Sequence, residues 1–228
     1  MIQLSFANLS LSDLEPLVNM RKLGIAEYDW TQVDAVTLSV SEQQDVDKIQ
    51  ARLLKSATLL MNETTIWGRA IYPLLMLAEQ GDIHALAEVP LQAQFKTFEI
   101  SGVADSVFGR EIEGRIETPY LVVLETKRGI EAKNPQHQLY GQLLAAAWLN
   151  WKENSRATQE IWGCYTVADV WTFNRAEITG FEAARPSMVI ETSREYSEKL
   201  EAVMILKILK QILKQILKRY GVRDRIAA

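Results

Sequence analysis

Residues 119–127 read PYLVVLETK, an almost unbroken apolar run that ends abruptly in charge. A strand buried on both faces has this texture, because both alternating sets of side chains meet apolar layers. Within it, Glu125 and Lys127 are two residues apart and share one face, while Thr126 takes the other. A carboxylate and an ammonium at the end of such a strand are expensive to bury. Packing alone does not place them there.

Upstream, IHALAEVPLQAQF (83–95) alternates as a strand, and FEISGVADSVF (98–108) follows with Asp105 in its middle. GREIEGRIET (109–118) reads as a hairpin connection. Before the strands, Asn62 can cap a helix whose apolar stripe is Ile66, Ala70, Leu74, Leu77 and Ala78. Pro73 should bend that helix and Gly81 close it. Downstream, Asn134-Pro135 is a helix start, with a capping residue and a proline at the first position. Gly141 lies inside this helix, where another element should pack closely. EIWGCYTVADVWTFNRAEI (160–178) reads as one or two strands. From about Ser187 one long helix should run to Tyr220 and end at Gly221.

The first 61 residues read as an N-terminal appendage. Ser12 would cap a helix carrying Leu14, Leu17, Val18 and Met20 and ending near Gly24. VDAVTLSV (33–40) could be a short strand, and Ser41 starts a helix with Val46, Ile49, Leu53 and Leu54 on one face. The element order predicts one α/β domain, a mixed central sheet flanked by helices. Residues 62–180 would form its core, and 181–228 an amphipathic helix packed on that core.

If the strands at 98–108 and 119–127 pair as a hairpin, Asp105 can lie beside Glu125. Two carboxylates then converge with Lys127 at a sheet edge. Like charges and burial both raise a carboxylate pKa, and a divalent cation reverses that penalty. Mg²⁺ takes hard oxygen ligands, commonly one or two carboxylates with several waters. Phosphodiester cleavage uses this layout, and a nearby lysine can position the water and stabilise developing charge.

G-V-A-D (102–105) followed by E-T-K (125–127) resembles the PD-(D/E)XK superfamily of nucleases, with its restriction-endonuclease-like fold. The resemblance spans roughly residues 62–175 and implies an αβββαβ core. Ala104 stands where the family's name has proline. The resemblance implies Mg²⁺ or Mn²⁺ held by Asp105 and Glu125, with Lys127 acting on the water. It also implies a metal-reaching glutamate in the preceding helix. Glu63 is the first candidate, Glu79 the second. Gln136 and Tyr140 carry the Q-x-x-x-Y spacing of one exonuclease-like branch. Gln138 and Gln142 offer an alternative pair, with Gln138 as a further catalytic candidate. The implied substrate is nucleic acid, DNA before RNA. Arg110, Arg115, Arg128 and Lys133 are candidate phosphate contacts.

The other signals are plainer. A formal net charge of −4 argues against a dedicated coat-type nucleic-acid binder, though not against a local basic surface. Cys164 is the single cysteine, so no intrachain disulfide forms and the chain reads as cytoplasmic. His84 and His137 lack partners at metal-ligand spacing. No phosphate-binding glycine loop or nucleophile elbow occurs. In the last helix, Ile208, Leu209, Ile212, Leu213, Ile216 and Leu217 form a stripe flanked by Lys207, Lys210, Lys214 and Lys218. It should cover the sheet and could extend into a homodimer contact. A lysine-flanked helix of this kind could also rest on a membrane surface, although no stretch is long enough to span one. The competing reading of the whole chain is a binding or assembly module that keeps the fold without the chemistry.

Overall fold

The computed structural model describes residues 1–129 and 134–220. In chain order the elements are β1 (Ile2–Ser5), α1 (Leu11–Leu14), β2 (Asn19–Ile25), α2 (Val40–Leu54), α3 (Glu63–Ile66) and α4 (Tyr72–Ala78). There follow β3 (Ile83–Gln94), β4 (Phe98–Ile112), β5 (Arg115–Lys127), α5 (Pro135–Asn154), β6 (Thr158–Val167), β7 (Val170–Thr179), β8 (Ser187–Ser197) and α6 (Glu198–Tyr220). Among the described residues the strands make one eight-stranded mixed sheet with helices on both faces.

β3, β4 and β5 form an antiparallel meander. α5 then crosses over, so β6 returns parallel to β5, and β7 and β8 follow antiparallel. One apolar layer lies under α5, through Leu139, Leu143 and Leu144. The other lies under α2, α4 and α6, through Leu53, Leu74 and Leu209. The apolar run 119–127 is thus sandwiched, and Val122 and Leu124 are buried.

Local signals explain the helices that frame the sheet. The Asn134 side chain accepts the Gln136 N–H at 2.9 Å, capping α5. A Cβ on Gly141 would stand 2.6 Å from the end of Leu9 and 2.9 Å from the end of Ile100, so a side chain there would push both out of the close packing. Asn62 caps α3 by accepting the Thr65 N–H at 2.8 Å. Between α3 and α4 the chain widens into a π-helical turn, Trp67–Ile71. Pro73 follows at once. It has no N–H to give the carbonyl four residues back, so the regular ladder cannot run through.

Three stretches differ from the sequence expectation. Residues 19–25, expected as helix, form β2, which pairs parallel with β8. The valine-rich segment 33–40 is not a strand. Ser187–Ser197, expected as the start of the last helix, is β8, and α6 begins at Glu198 and kinks at Glu201. The N-terminal residues also contribute β1, which pairs parallel with β4. They belong to the sheet rather than hanging beside it.

The apolar stripe of α6 covers the sheet, as the sequence predicts. Ile205, Leu206, Ile208, Leu209, Ile212, Leu213 and Ile216 are at most 1% exposed, spent on the chain's own core. Lys210 is tied to Glu42 at 2.6 Å. Among the described residues no helix is long and apolar enough to cross a membrane.

Candidate active site

β4 is the strand on which the site turns. Along one edge it pairs with β3 over most of its length. Along the other it pairs with β1 over residues 98–101 and with β5 over 106–112. The sheet therefore forks at Gly102–Asp105, where β4 exchanges one neighbour for the other. The last regular β4–β5 rung near the fork joins Ser106 to Leu124, so the next would have set Asp105 against Glu125. Instead the Asp105 carboxylate reaches across and accepts the Thr126 N–H at 2.6 Å. The side chain thus satisfies a backbone donor that the departing strand leaves behind.

Alternation also slips at this point. Ala104 and Val107 both belong to the layer under α5 although they are three residues apart. Across on β3, Glu88 stands opposite Asp105 and takes a φ of 53°, a rare conformation for a residue with a side chain. The slip turns Asp105 toward α3 rather than into the apolar layer.

Glu125 is 1% exposed, yet it is held on both sides. Lys127 Nζ lies 2.5 Å from one carboxylate oxygen, and Gln142 Nε2 donates to the other at 2.6 Å. Glu63, in the first turn of α3, brings a carboxylate oxygen to 4.0 Å from the same ammonium. Asp105, Glu125, Lys127 and Glu63 therefore act on one another electrostatically where the C-terminal end of β5 passes the middle of β4. Three carboxylates face one lysine, and the electrostatics record the imbalance. Burial first and Glu125 second push Asp105 up to about 7. Burial raises Glu125 too, against the pull of Lys127 and Gln142. Burial alone would lower Lys127, but Glu125, Asp105 and Glu63 hold its ammonium above the ordinary lysine value.

A cleft of about 210 Å³ opens beside Asp105. Glu63, Thr64 and Trp67 line one side, Ala87 and Glu88 come from β3, and Asp105 and Thr126 complete it. Among the described residues, no group of three or more His, Cys, Asp or Glu side chains is arranged to hold a metal ion. What is present is a buried Glu125 and a half-buried Asp105, two mutually repelling carboxylates with hard oxygen donors. That donor set suits a cation such as Mg²⁺, which keeps several of its waters. Asp105 and Glu125 could hold it.

The remaining sequence candidates scatter. Arg110 and Arg115 are exposed on the far part of the β4–β5 hairpin; Arg115 lies opposite Ile112, so the two are roughly 17 Å and 23 Å from Asp105 along β4 at about 3.3 Å per residue. Arg128 is exposed and directly follows Lys127. Lys133 lies outside the described residues. Gln136 and Gln138 are half-buried in the first turns of α5, but Gln142, one turn beyond Gln138, is the amide that reaches Glu125. Tyr140 is not a surface contact. It is 1% exposed in the layer under α5, with the Lys22 ammonium 5.7 Å from its ring centre. Glu79 accepts the Ala85 N–H at 3.0 Å and steadies the start of β3.

Sequence reasoning missed Trp67 and Glu88. The signal for Trp67 was available: it follows Glu63 by four residues, one turn on the same helical face. Glu88 had none, because its place depends on the slip. The sequence matches no protein-family model and none of the curated proteins.

Proposed function

We propose that this chain is a metal-dependent phosphodiesterase of the PD-(D/E)XK type, hydrolysing nucleic acid and DNA before RNA. The observation that carries the proposal is the charge coupling of Asp105 with Glu125 and Lys127 where the end of β5 passes the middle of β4, with Asp105 and Glu63 lining an open cleft. The order β3–β4–β5–α5–β6, with helix α3–α4 before it, supports an αβββαβ core.

A bound Mg²⁺ or Mn²⁺ would supply charge for the phosphate oxygens and a more acidic water. The chain's own groups do the rest. Asp105 and Glu125 would hold the cation as oxygen donors. Gln142 fixes one Glu125 oxygen and so orients the carboxylate. Lys127, charged through neutral pH, donates to the attacking water or to the developing phosphate charge. The Thr126 N–H keeps the Asp105 carboxylate turned toward the cleft.

Cleavage of plasmid and labelled oligonucleotides in Mg²⁺ or Mn²⁺ tests the proposal. Lys127→Ala should reduce the rate at least about a hundredfold. Activity unchanged by that substitution would remove the site. A second reading, a binding module without chemistry, draws on the closed Glu125–Lys127 contact at 2.5 Å. It predicts no rise in melting midpoint with Mn²⁺, whereas a bound metal must raise it.

A further inference from the structure

Four of the residues around the cleft beside Asp105 sort into two kinds. Glu63, Glu88 and Asp105 are acidic, Trp67 offers an aromatic surface, and none of the residues lining the cleft is a lysine or arginine. A phosphate entering this space without a cation would meet three carboxylates. A nucleobase is neutral, flat and rimmed by N–H donors, and it would meet none of that repulsion.

Trp67 is built to hold such a ring. It is half-buried, with its rear packed on the core layer under α2, α4 and α6. Its ring leans on Tyr72, with centroids 5.4 Å apart and planes inclined by 33°. Tyr72 is itself pinned by its hydroxyl, which donates to the Ala85 carbonyl at 3.0 Å. The indole sits at the start of the π-helical turn, one turn beyond Glu63, so it stands against the proposed reaction centre. Glu88 lies opposite Asp105 with an exposed side chain. A carboxylate there can accept from the exocyclic amino group of cytosine, adenine or guanine, which thymine lacks.

We propose that Trp67 is the stacking platform for one unpaired base next to the cleaved phosphate, with Glu88 accepting from its amino group. The substrate class is then single-stranded or frayed nucleic acid, because a paired base has its faces and amino groups already engaged. This assignment rests on the phosphodiesterase reading for its reaction, but its binding test does not.

Equilibrium binding of labelled oligo-dC, oligo-dT and a blunt duplex should be measured by anisotropy in the Lys127→Ala background, alongside cleavage by the otherwise unchanged chain. Trp67→Ala should weaken single-strand binding about tenfold or more, Trp67→Phe by less than about threefold, and neither should alter duplex binding. Glu88→Ala should erase a roughly tenfold preference for oligo-dC over oligo-dT while leaving oligo-dT binding unchanged. This variant keeps the proposal testable if Trp67→Ala does not fold. Single-strand binding indifferent to Trp67, a loss shared equally by strand and duplex, or no base preference touched by Glu88 would overturn the assignment. Trp67-dependent binding without cleavage would overturn the hydrolytic reading alone. Cleavage with Trp67-independent strand binding would overturn the stacking alone.

Discussion

Replacing Asp105 with Asn should stabilise the metal-free chain above neutral pH and change it little near pH 4. Burial and the neighbouring Glu125 raise Asp105 from 3.8 to about 7 in the folded state. The folded chain therefore holds a proton that the unfolded chain has lost, throughout the window from about pH 4 to about pH 7. Stability falls as pH rises through that window, and the cost is complete above it. At about 1.4 kcal/mol per pKa unit the upper bound is about 4 kcal/mol. Solvent in the cleft and sharing with Glu125 screen this, leaving a working value of about 2 kcal/mol. Asn mimics the protonated acid and keeps an oxygen to accept the Thr126 N–H, so the contact at 2.6 Å survives. Urea unfolding in chelator at pH 4 and pH 8 measures the difference. For a chain this size, about 2 kcal/mol corresponds to roughly 4–8 °C in melting midpoint at the higher pH. Equal destabilisation of the Asn variant at both pH values would show that Asp105 is a satisfied structural anion, and the reasoning would fail.

Glu198 is fully buried, accepts from Trp171 Nε1 at 2.8 Å, and is pushed up to about 8 by burial. Stability tied to its proton is lost as pH rises through that value. Glu198→Gln should be more stable than the parent at pH 9 by roughly 2 kcal/mol and close to it at pH 4, as read by thermal melts. Gly102→Ala should destabilise by about 1–3 kcal/mol. Its Cβ would sit 2.6 Å from the buried Phe6 ring, at a φ of 156°, inside the fork that sets Asp105. Urea midpoints measure the loss, and a neutral result would mean the fork is loosely packed.

The centre of the sheet was legible and its edges were not. PYLVVLETK is apolar on both faces because it lies between two helical layers, so its texture survives without context. Asn134-Pro135 and Asn62 announce helices through local capping that needs no tertiary partner. β2 fails to show because it is a sheet edge. Arg21, Lys22, Leu23, Gly24 and Ile25 are all exposed, leaving no alternation to read. β8 does alternate, through Met188 and Ile190, but it runs directly into α6 without a break. Glu125 and Lys127 could be placed together by strand periodicity alone. Asp105 could not be oriented, because its direction depends on β1 displacing β5 along β4, a pairing nearly a hundred residues apart in sequence. The amide that reaches Glu125 was one of two spacings open in α5, and only the helix's rotation against the sheet selects Gln142.

Direct Mn²⁺ titration by calorimetry or electron paramagnetic resonance asks whether the two acids share a cation. The unaltered chain should bind a single Mn²⁺, and both Asp105→Asn and Glu125→Gln should abolish that binding while the proteins remain folded. A chain that takes up no Mn²⁺, or one whose Mn²⁺ is indifferent to both substitutions, would contradict the account.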